Sequence, residues 1–415
     1  MSNSLAEKQF AINENPWKML LFLLLAQLMV AFVGRSIGPL GVLIGEDLSL
    51  TKSQIGMLPA ALFLGQAIIS VPAGFLTDLA GSRKLLVLAS ALMGLGFLFM
   101  TLLHDFWLVL LLIVIGGIGY GSMHPITNRG IIYWFPLKQR GTAMGIKQTG
   151  ITAGSALASL ILLPLSVTFG WRFVLLTACL LLLAGGFVSY HYYRDPPELE
   201  QAKGSSMSLL QFYKSMFKMF KNKALMLISF SALGLNGTQM CLNTYIVLFA
   251  YEQLKISIFL SGILLVISEI SGTIGRVAWG VISDRLFEGK RVVILMIITI
   301  ITALASTSAA VITSAPFWVM APITALFGFA ASGFNGIWMN LASELVPREQ
   351  AGISSGISIT LGSAGAIIIP PLFGLIVDKT GQFSSGWFLI TGMMFIVFTL
   401  LTVLSIMNKK NNFVI

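Results

Sequence analysis

A chain of 415 residues that is 56% hydrophobic, only 10% charged and +0.89 in mean hydropathy is not a soluble globular protein, because such proteins carry about 25% charged residues. Its net charge of +10 would suit nucleic acid, but the basic residues are dealt out between apolar runs, which excludes a nucleic-acid surface and points to orientation in a membrane and contact with anionic lipid. The two cysteines and three histidines stand at no metal-binding spacing, so neither a metal site nor a disulfide framework is expected.

About twenty apolar residues cross a bilayer as a helix. The chain offers twelve such runs, at roughly 17–43, 54–77, 84–103, 107–134, 142–168, 171–192, 224–250, 257–282, 291–313, 316–344, 353–377 and 385–407. They are too long and too evenly apolar for a barrel, whose strands alternate over about ten residues. Residues 1–16 read as a short disordered tail. The first run is too long for a cleaved signal peptide and lacks a basic n-region and a small-residue cleavage site.

An ionisable group inside a span costs about 2.5–3.5 kcal/mol on insertion scales and suggests function by default. Arg35 is such a group, 18 residues into the first span, where Gly34 and Gly38-Pro39-Leu40-Gly41 loosen the helix. It reads as a contact for an anion, or else as a cation snorkelling to the outer surface. The second span ends in a charged hairpin, Gly74-Phe-Leu-Thr-Asp78-Leu79-Ala-Gly81-Ser-Arg83-Lys84. In span four, Gly116 to Gly121 is a glycine-rich run inside an apolar helix, not a phosphate turn. His124 follows it, either titrating near neutral pH or hydrogen-bonding as a neutral ring, and Pro125 bends the helix there. Arg129 in span four and Lys147, followed by Gln148, in span five are candidates for an inward vestibule. Gly150, Gly154 and Ala158 recur at close-packing spacing.

Residues 193–223 form the one long polar break. It opens as a linker and continues with Leu209, Leu210, Phe212, Tyr213, Met216, Phe217 and Phe220 among lysines, as in an amphipathic helix or an ordinary basic linker. Span seven then carries Asn236, Gln239 and Asn243 on one helical face, with Tyr245 beside them; they suit a binding wall, or helix–helix hydrogen bonding. Span eight carries Glu269 and Arg276 two turns apart. They form either a structural ion pair or a site in which the carboxylate, relieved when an anion occupies Arg276, takes up a proton. Asn335, Trp338 and Asn340 in span ten complete the second wall.

Span eight ends in Gly280-Val-Ile-Ser-Asp284-Arg285-Leu-Phe-Glu-Gly289-Lys290-Arg291, which echoes the Gly74 hairpin 206 residues earlier. A second echo, Pro136-Leu-Lys-Gln139 with Gly141 and Gly145 against Pro347-Arg-Glu-Gln350 with Gly352 and Gly356, stands 211 residues apart. At that offset His124 matches Asn335 and Arg129 matches Asn340. The expected architecture is an all-α membrane protein of twelve transmembrane helices in two pseudo-symmetric six-helix bundles. Its parts are a tail at 1–16, bundles at 17–192 and 224–408, the linker at 193–223 and a tail at 409–415, with the site between the bundles near the midplane. With the N-terminus inside, cytoplasmic segments hold 18 of the 26 Lys and Arg and outer loops hold four. That bias puts both termini in the cytoplasm.

The hairpin at Gly74, Asp78, Gly81 and Arg83, its echo at Gly280, Asp284 and Arg285, and the six-plus-six layout resemble the major facilitator superfamily over essentially the whole chain. The resemblance implies rocker-switch alternating access, with those residues as gate contacts, although Leu79 replaces the basic residue usual after the first Asp. Ile113 stands where proton-coupled antiporters of the family carry Arg, and the late Gly-Pro pair of drug antiporters is absent from span five, which counts against multidrug efflux. Gly275-Arg276-Val-Ala-Trp279-Gly280 is similar to a stretch of monocarboxylate and oxalate/formate-type carriers whose Arg meets the substrate carboxylate, which nominates Arg276. The stretch from His124 to Gly150 is similar to bacterial anion and cyanate-type permeases.

The expectation is a secondary transporter of a small organic anion of the carboxylate type, in a bacterial cytoplasmic membrane and coupled to protons, acting as a monomer and without cofactor. Substrate contacts would come from Arg35, Arg276, Lys147, Gln148, Asn236, Gln239, Asn243, Tyr245, Asn335 and Trp338; proton coupling from Glu269 and His124; and the vestibule from Arg129 and Asn340. Proton-driven efflux of an amphipathic compound, or anion exchange, are the alternatives within transport. A membrane sensor or a membrane-embedded enzyme are the alternatives outside it; no enzyme constellation or Walker sequence is present.

Overall fold

The computed structural model describes residues 15–195, 220–346 and 351–410. Among them every regular element is helical, and twelve helical segments are long and apolar enough to cross a membrane. Large apolar side chains such as Phe187, Trp107 and Phe395 stand exposed on the outside of the bundle, as a lipid-facing surface requires.

In chain order the helices are α1 (Pro16–Gly34), α2 (Ile37–Asp47), α3 (Lys52–Ala80), α4 (Ser82–Met100), α5 (Phe106–Trp134), α6 (Leu137–Leu157), a π-helical turn (Ala158–Leu162), α7 (Leu163–Phe169) and α8 (Trp171–Tyr192). The second half follows as α9 (Lys223–Glu252), α10 (Ile258–Leu286), α11 (Arg291–Val311), α12 (Phe317–Ala331), α13 (Asn335–Glu344), α14 (Ala351–Thr380) and α15 (Phe383–Lys410). Starts are set by local chemistry. Thr51 and Gln54 form a capping box on α3, Asp105 caps α5, Asn222 caps α9 and Ser257 caps α10.

Two spans that read as continuous in the sequence are broken. The first bends at Arg35–Ser36 between α1 and α2. The tenth is interrupted at Ser332-Gly333-Phe334 between α12 and α13. The fifth is re-phased by the π turn. The amphipathic stretch from Leu209 to Phe217, and the Pro347–Gln350 echo, lie outside the described residues.

Glycines bring the helices into backbone contact. A Cβ on Gly65 would come within 2.8 Å of Gly117, joining α3 to α5, and Gly154 lies as tightly against α1. The apolar core is uneven. One cluster runs from the first half into the far part of the second through Tyr245, Phe249, Phe373 and Trp387. A separate cluster fills only the second half near the chain termini. The two halves are therefore packed together at the end away from the termini (the far end) and parted at the end that carries them (the near end).

Polar contacts across the boundary follow the same division. At the far end, Lys52 Nζ meets Glu252 at 2.6 Å, and Asp378 accepts the backbone N–H groups of Lys52 and Ser53. Tyr245 OH lies 2.8 Å from the carbonyls of both Lys52 and Pro370. Deeper in, Ser159 Oγ donates to the Gly262 carbonyl from the π turn, a placement common for such turns at functional sites.

Candidate functional site

Between the halves lies a cavity of about 660 Å³, which is within the range of small-molecule sites. Both helix breaks face it. Arg35, the residue that ends α1, and Arg276 of α10 line it from opposite halves. The break after α12 frees the Ser332 carbonyl, which accepts Arg276 Nε at 3.1 Å, while Trp279 Nε1 donates to the Phe329 carbonyl one turn earlier. Gly275 and Gly333 permit this close approach, since a Cβ on Gly275 would lie 3.3 Å from Gly333 Cα. Interrupted helices at mid-depth are the usual way membrane carriers build polar sites in an apolar medium.

Arg35 Nε donates to Tyr120 OH at 3.1 Å, and its guanidinium carbon lies 5.9 Å from the centroid of the Phe63 ring. Both arginines are thus fixed through Nε. Their terminal nitrogens make no hydrogen bond among the described residues, which leaves paired donors for an acid group. Lys147, 2% exposed, donates from Nζ to Asn128 Oδ1 at 2.7 Å. His124 lies within electrostatic reach of both Lys147 and Arg35. Among the described residues, three cations and no acid line the cavity.

Glu269 is buried just beyond the cavity wall. Its Oε1 accepts Ser155 Oγ at 2.9 Å from the first half and Asn243 Nδ2 at 3.1 Å from the second. It has no salt-bridge partner among the described residues, although Arg35 and Arg276 both feel its charge. The i, i+7 spacing did not produce a locked Glu269–Arg276 pair, because each group is held by other partners. Neutral polar groups fill the remaining wall: Gln148, Asn236, Gln239, Asn335 and Asn340, with Asn335 Nδ2 at 3.4 Å from Gln239 Oε1. Trp338 presents its ring, and its Nε1 is taken by Ser358 Oγ at 2.8 Å.

Other expected residues lie elsewhere. Asn243 is tied to Glu269, and Tyr245 is part of the far-end closure; neither lines the cavity. Arg129 is not at an open vestibule: its Nη2 donates to Tyr133 OH at 3.1 Å, and the guanidinium stacks over that ring. Of the first hairpin, the side chain of Asp78 lies outside the described residues. Arg83 does not reach across to the second half. Its Nε donates to the Tyr190 carbonyl and its guanidinium covers the Tyr190 ring. Asp195, just past α8, caps α4 by accepting the N–H groups of Ser82 and Arg83. Gly81, at φ +82°, leaves room for that carboxylate. Burial raises the pKa of the Asp195 carboxyl, against the opposing pull of those two backbone donors. In the second hairpin Asp284 lies 3.6 Å from Arg291, whose Nε holds Glu344 at 2.7 Å, and Arg285 is exposed. Arg83 and Asp284 thus make their contacts within their own halves. Several lining residues belong to no sequence motif: Phe63, Gln66, Ser70 and Ser363. Tyr120, behind Arg35, lies in the glycine-rich run of span four, and Asn128 in the stretch similar to anion and cyanate-type permeases.

The sequence profile of the Major Facilitator Superfamily matches residues 23–370 and 289–412. The hexuronate transporter of Bacillus subtilis (strain 168) is 23% identical over 393 residues, covering 90% of this chain and 91% of that protein. The probable sulfoacetate transporter SauU of Cupriavidus necator is 21% identical over 393 residues, covering 90% of each. The crystal structure of the nucleoside transporter NupG superposes with a TM-score of 0.75 at 17% identity, over 93% of this chain and 98% of that one, which shows the shared fold. The twelve-span layout, the cavity between two halves and the profile match over nearly the whole length establish that this chain is a multi-pass membrane protein belonging to the Major Facilitator Superfamily.

Proposed function

We propose that the chain is a secondary transporter that takes up a small organic anion of the sugar-acid type together with protons, by alternating access between its two halves. The observation that carries this reading is the convergence of Arg35 and Arg276, one from each half, with Lys147 on a cavity that has no acid in its lining among the described residues. A buried cation without a counter-ion is costly, and an anionic substrate supplies the missing charge. The neutral amides and the Trp338 face suit the hydroxyls and C–H faces of a sugar acid. Relatives named for hexuronate and sulfoacetate support an organic anion.

Glu269 is the group that suits proton coupling. It is buried, lies near both arginines and bonds across the two halves through Ser155, so its charge bears on binding and on closure together. The basic bias of one face supports both termini in the cytoplasm of a bacterial cell, so the cavity would face inward in this state. One chain supplies both walls, so a monomer suffices.

The test is uptake of radiolabelled D-glucuronate by proteoliposomes under an inward-directed proton gradient. Wild type should accumulate it, and Arg276→Ala should lose uptake at least about tenfold, as expected for a desolvated charge contact. Undiminished uptake by Arg276→Ala would remove Arg276 from the site.

A further inference from the structure

The cavity cations are not gathered at one point. Arg35 sits at the break of α1 and lies close enough to Arg276 to act on it electrostatically. Lys147, ten residues into α6 from Leu137, is coupled by charge to neither arginine, which sets it apart from that pair. Its ammonium is almost wholly buried, its hydrogen bond goes to a neutral amide, and no acid pairs with it among the described residues. Glu269 offsets one positive charge of three. A substrate with a single acid group satisfies the arginine pair and leaves the buried Lys147 without a counter-charge.

We infer that the site is built for a dianion, a short molecule with two acid groups. One group is gripped by the terminal nitrogens of Arg35 and Arg276. The other is received at the Lys147–Asn128 pair, where the ammonium supplies charge and the Asn128 amide supplies a hydrogen bond. Lys147 then sets specificity between diacids and monoacids. This rests on the organic-anion reading above but asks a separate question: how many charges the substrate carries.

Calorimetric binding to the purified full chain in detergent decides it with matched probes. D-glucarate and D-gluconate share an open six-carbon chain and differ in one terminal carboxylate. Sulfoacetate and methylsulfonylacetate make the same comparison without a sugar. Wild type should bind each dianion at least about tenfold more tightly than its monoanion, the scale of one buried charge contact. Lys147→Gln should bring each ratio to within about threefold, whereas Lys147→Arg keeps it. Asn128→Asp, which gives Lys147 a counter-charge of its own, should narrow the ratio as well and serves if Lys147→Gln does not fold.

A wild-type ratio near one in both pairs overturns the inference, even if the sugar acids bind. An equal loss of affinity for both members of a pair in Lys147→Gln also overturns it. A ratio that survives only in the sulfoacetate pair upholds it while removing the sugar-acid reading. No binding of any of the four probes overturns both.

Discussion

Asp378 holds the first turn of α3 from the other half of the molecule, with Oδ1 accepting the Lys52 N–H at 2.7 Å and Oδ2 the Ser53 N–H at 2.8 Å. These are donors that a helix start leaves without intrahelical partners, so the carboxylate acts as an N-cap supplied across the domain boundary. Removing an N-cap costs about 0.5–2 kcal/mol, and a negative charge at an exposed helix N-terminus adds about 0.3–1 kcal/mol. The backbone groups are partly solvated, and water replaces part of what is lost when the carboxylate goes. Asp378→Ala should therefore weaken far-end closure by roughly 1–2 kcal/mol, a factor of about 5–30 in the closed-to-open ratio. The Lys52–Glu252 pair is partly exposed and adds at most about 1 kcal/mol.

Pulsed electron–electron distances between spin labels at Thr168 and Lys255, exposed positions on opposite halves at the far end, report that ratio directly. Asp105→Ala is the matched control. Asp105 caps α5 through the Leu108 N–H at 2.9 Å, a similar bond made within one half. It should lower stability without shifting the label distances. If Asp378→Ala leaves the distance distribution unchanged, or Asp105→Ala shifts it as far, the cap is not part of the closure.

Three further outcomes follow from the same contacts. Glu269→Gln keeps an acceptor for Ser155 and Asn243 but cannot exchange a proton; proton-gradient-driven uptake should disappear while substrate counterflow continues, and persistent gradient-driven uptake would clear Glu269 of coupling. Gly374→Ala drives a methyl group into the backbone of Lys52 and Ser53, so it should populate the far-end-open state in the label experiment at least as strongly as Asp378→Ala. Asp195 has its carboxyl pKa raised by burial, so its contribution to stability is full below the unfolded value of about 4 and is lost as pH rises through the folded value. The melting temperature of Asp195→Asn relative to wild type should therefore climb as the pH rises above about 4, and a flat difference would refute the burial argument.

The spans were legible because hydropathy alone sets them, and Arg35 and Arg276 stood out because a charge there is expensive. The i, i+3, i+7 spacing of Asn236, Gln239 and Asn243 sets their common face but not their depth. The first two line the cavity, while Asn243, one turn further along, lies beyond its closed end against Glu269. Periodicity reports direction around a helix and says nothing of where a cavity stops. The break at Ser332-Gly333 was hidden because small residues there look like the close-packing glycines found throughout the chain, of which Gly272 and Gly328 are neighbours. Tyr120 matters through Arg35 on another helix, Asn128 holds Lys147 on the next one, and Asp378 caps a helix start 326 residues away. No local pattern encodes such pairs.

The proposed alternating access requires the near end to close as well, and three glycines lie where it would. Gly74 continues the stripe of cavity-facing residues Phe63, Gln66 and Ser70 on α3. Gly280 lies one turn beyond Arg276 on α10, and Gly145 lies one turn before Gln148 on α6. Among the described residues, a Cβ on any of the three would meet nothing within 4 Å, unlike tightly packed glycines toward the far end such as Gly56 and Gly374. Gly74 and Gly280 also open the two repeated hairpins, so the repeat preserves backbone smoothness at the mouth. A larger side chain fits in the present state and obstructs the approach of helices in the opposite one. Gly280→Leu should therefore retain fold and ligand affinity measured by calorimetry, yet reduce transport in proteoliposomes by at least about tenfold, because overpacking a close helix contact costs roughly 1–3 kcal/mol. The spin-label distances at the far end should stay short with or without ligand. Wild-type transport by Gly280→Leu would mean that α10 does not approach its neighbours at the mouth, and the near end would have to close through other helices.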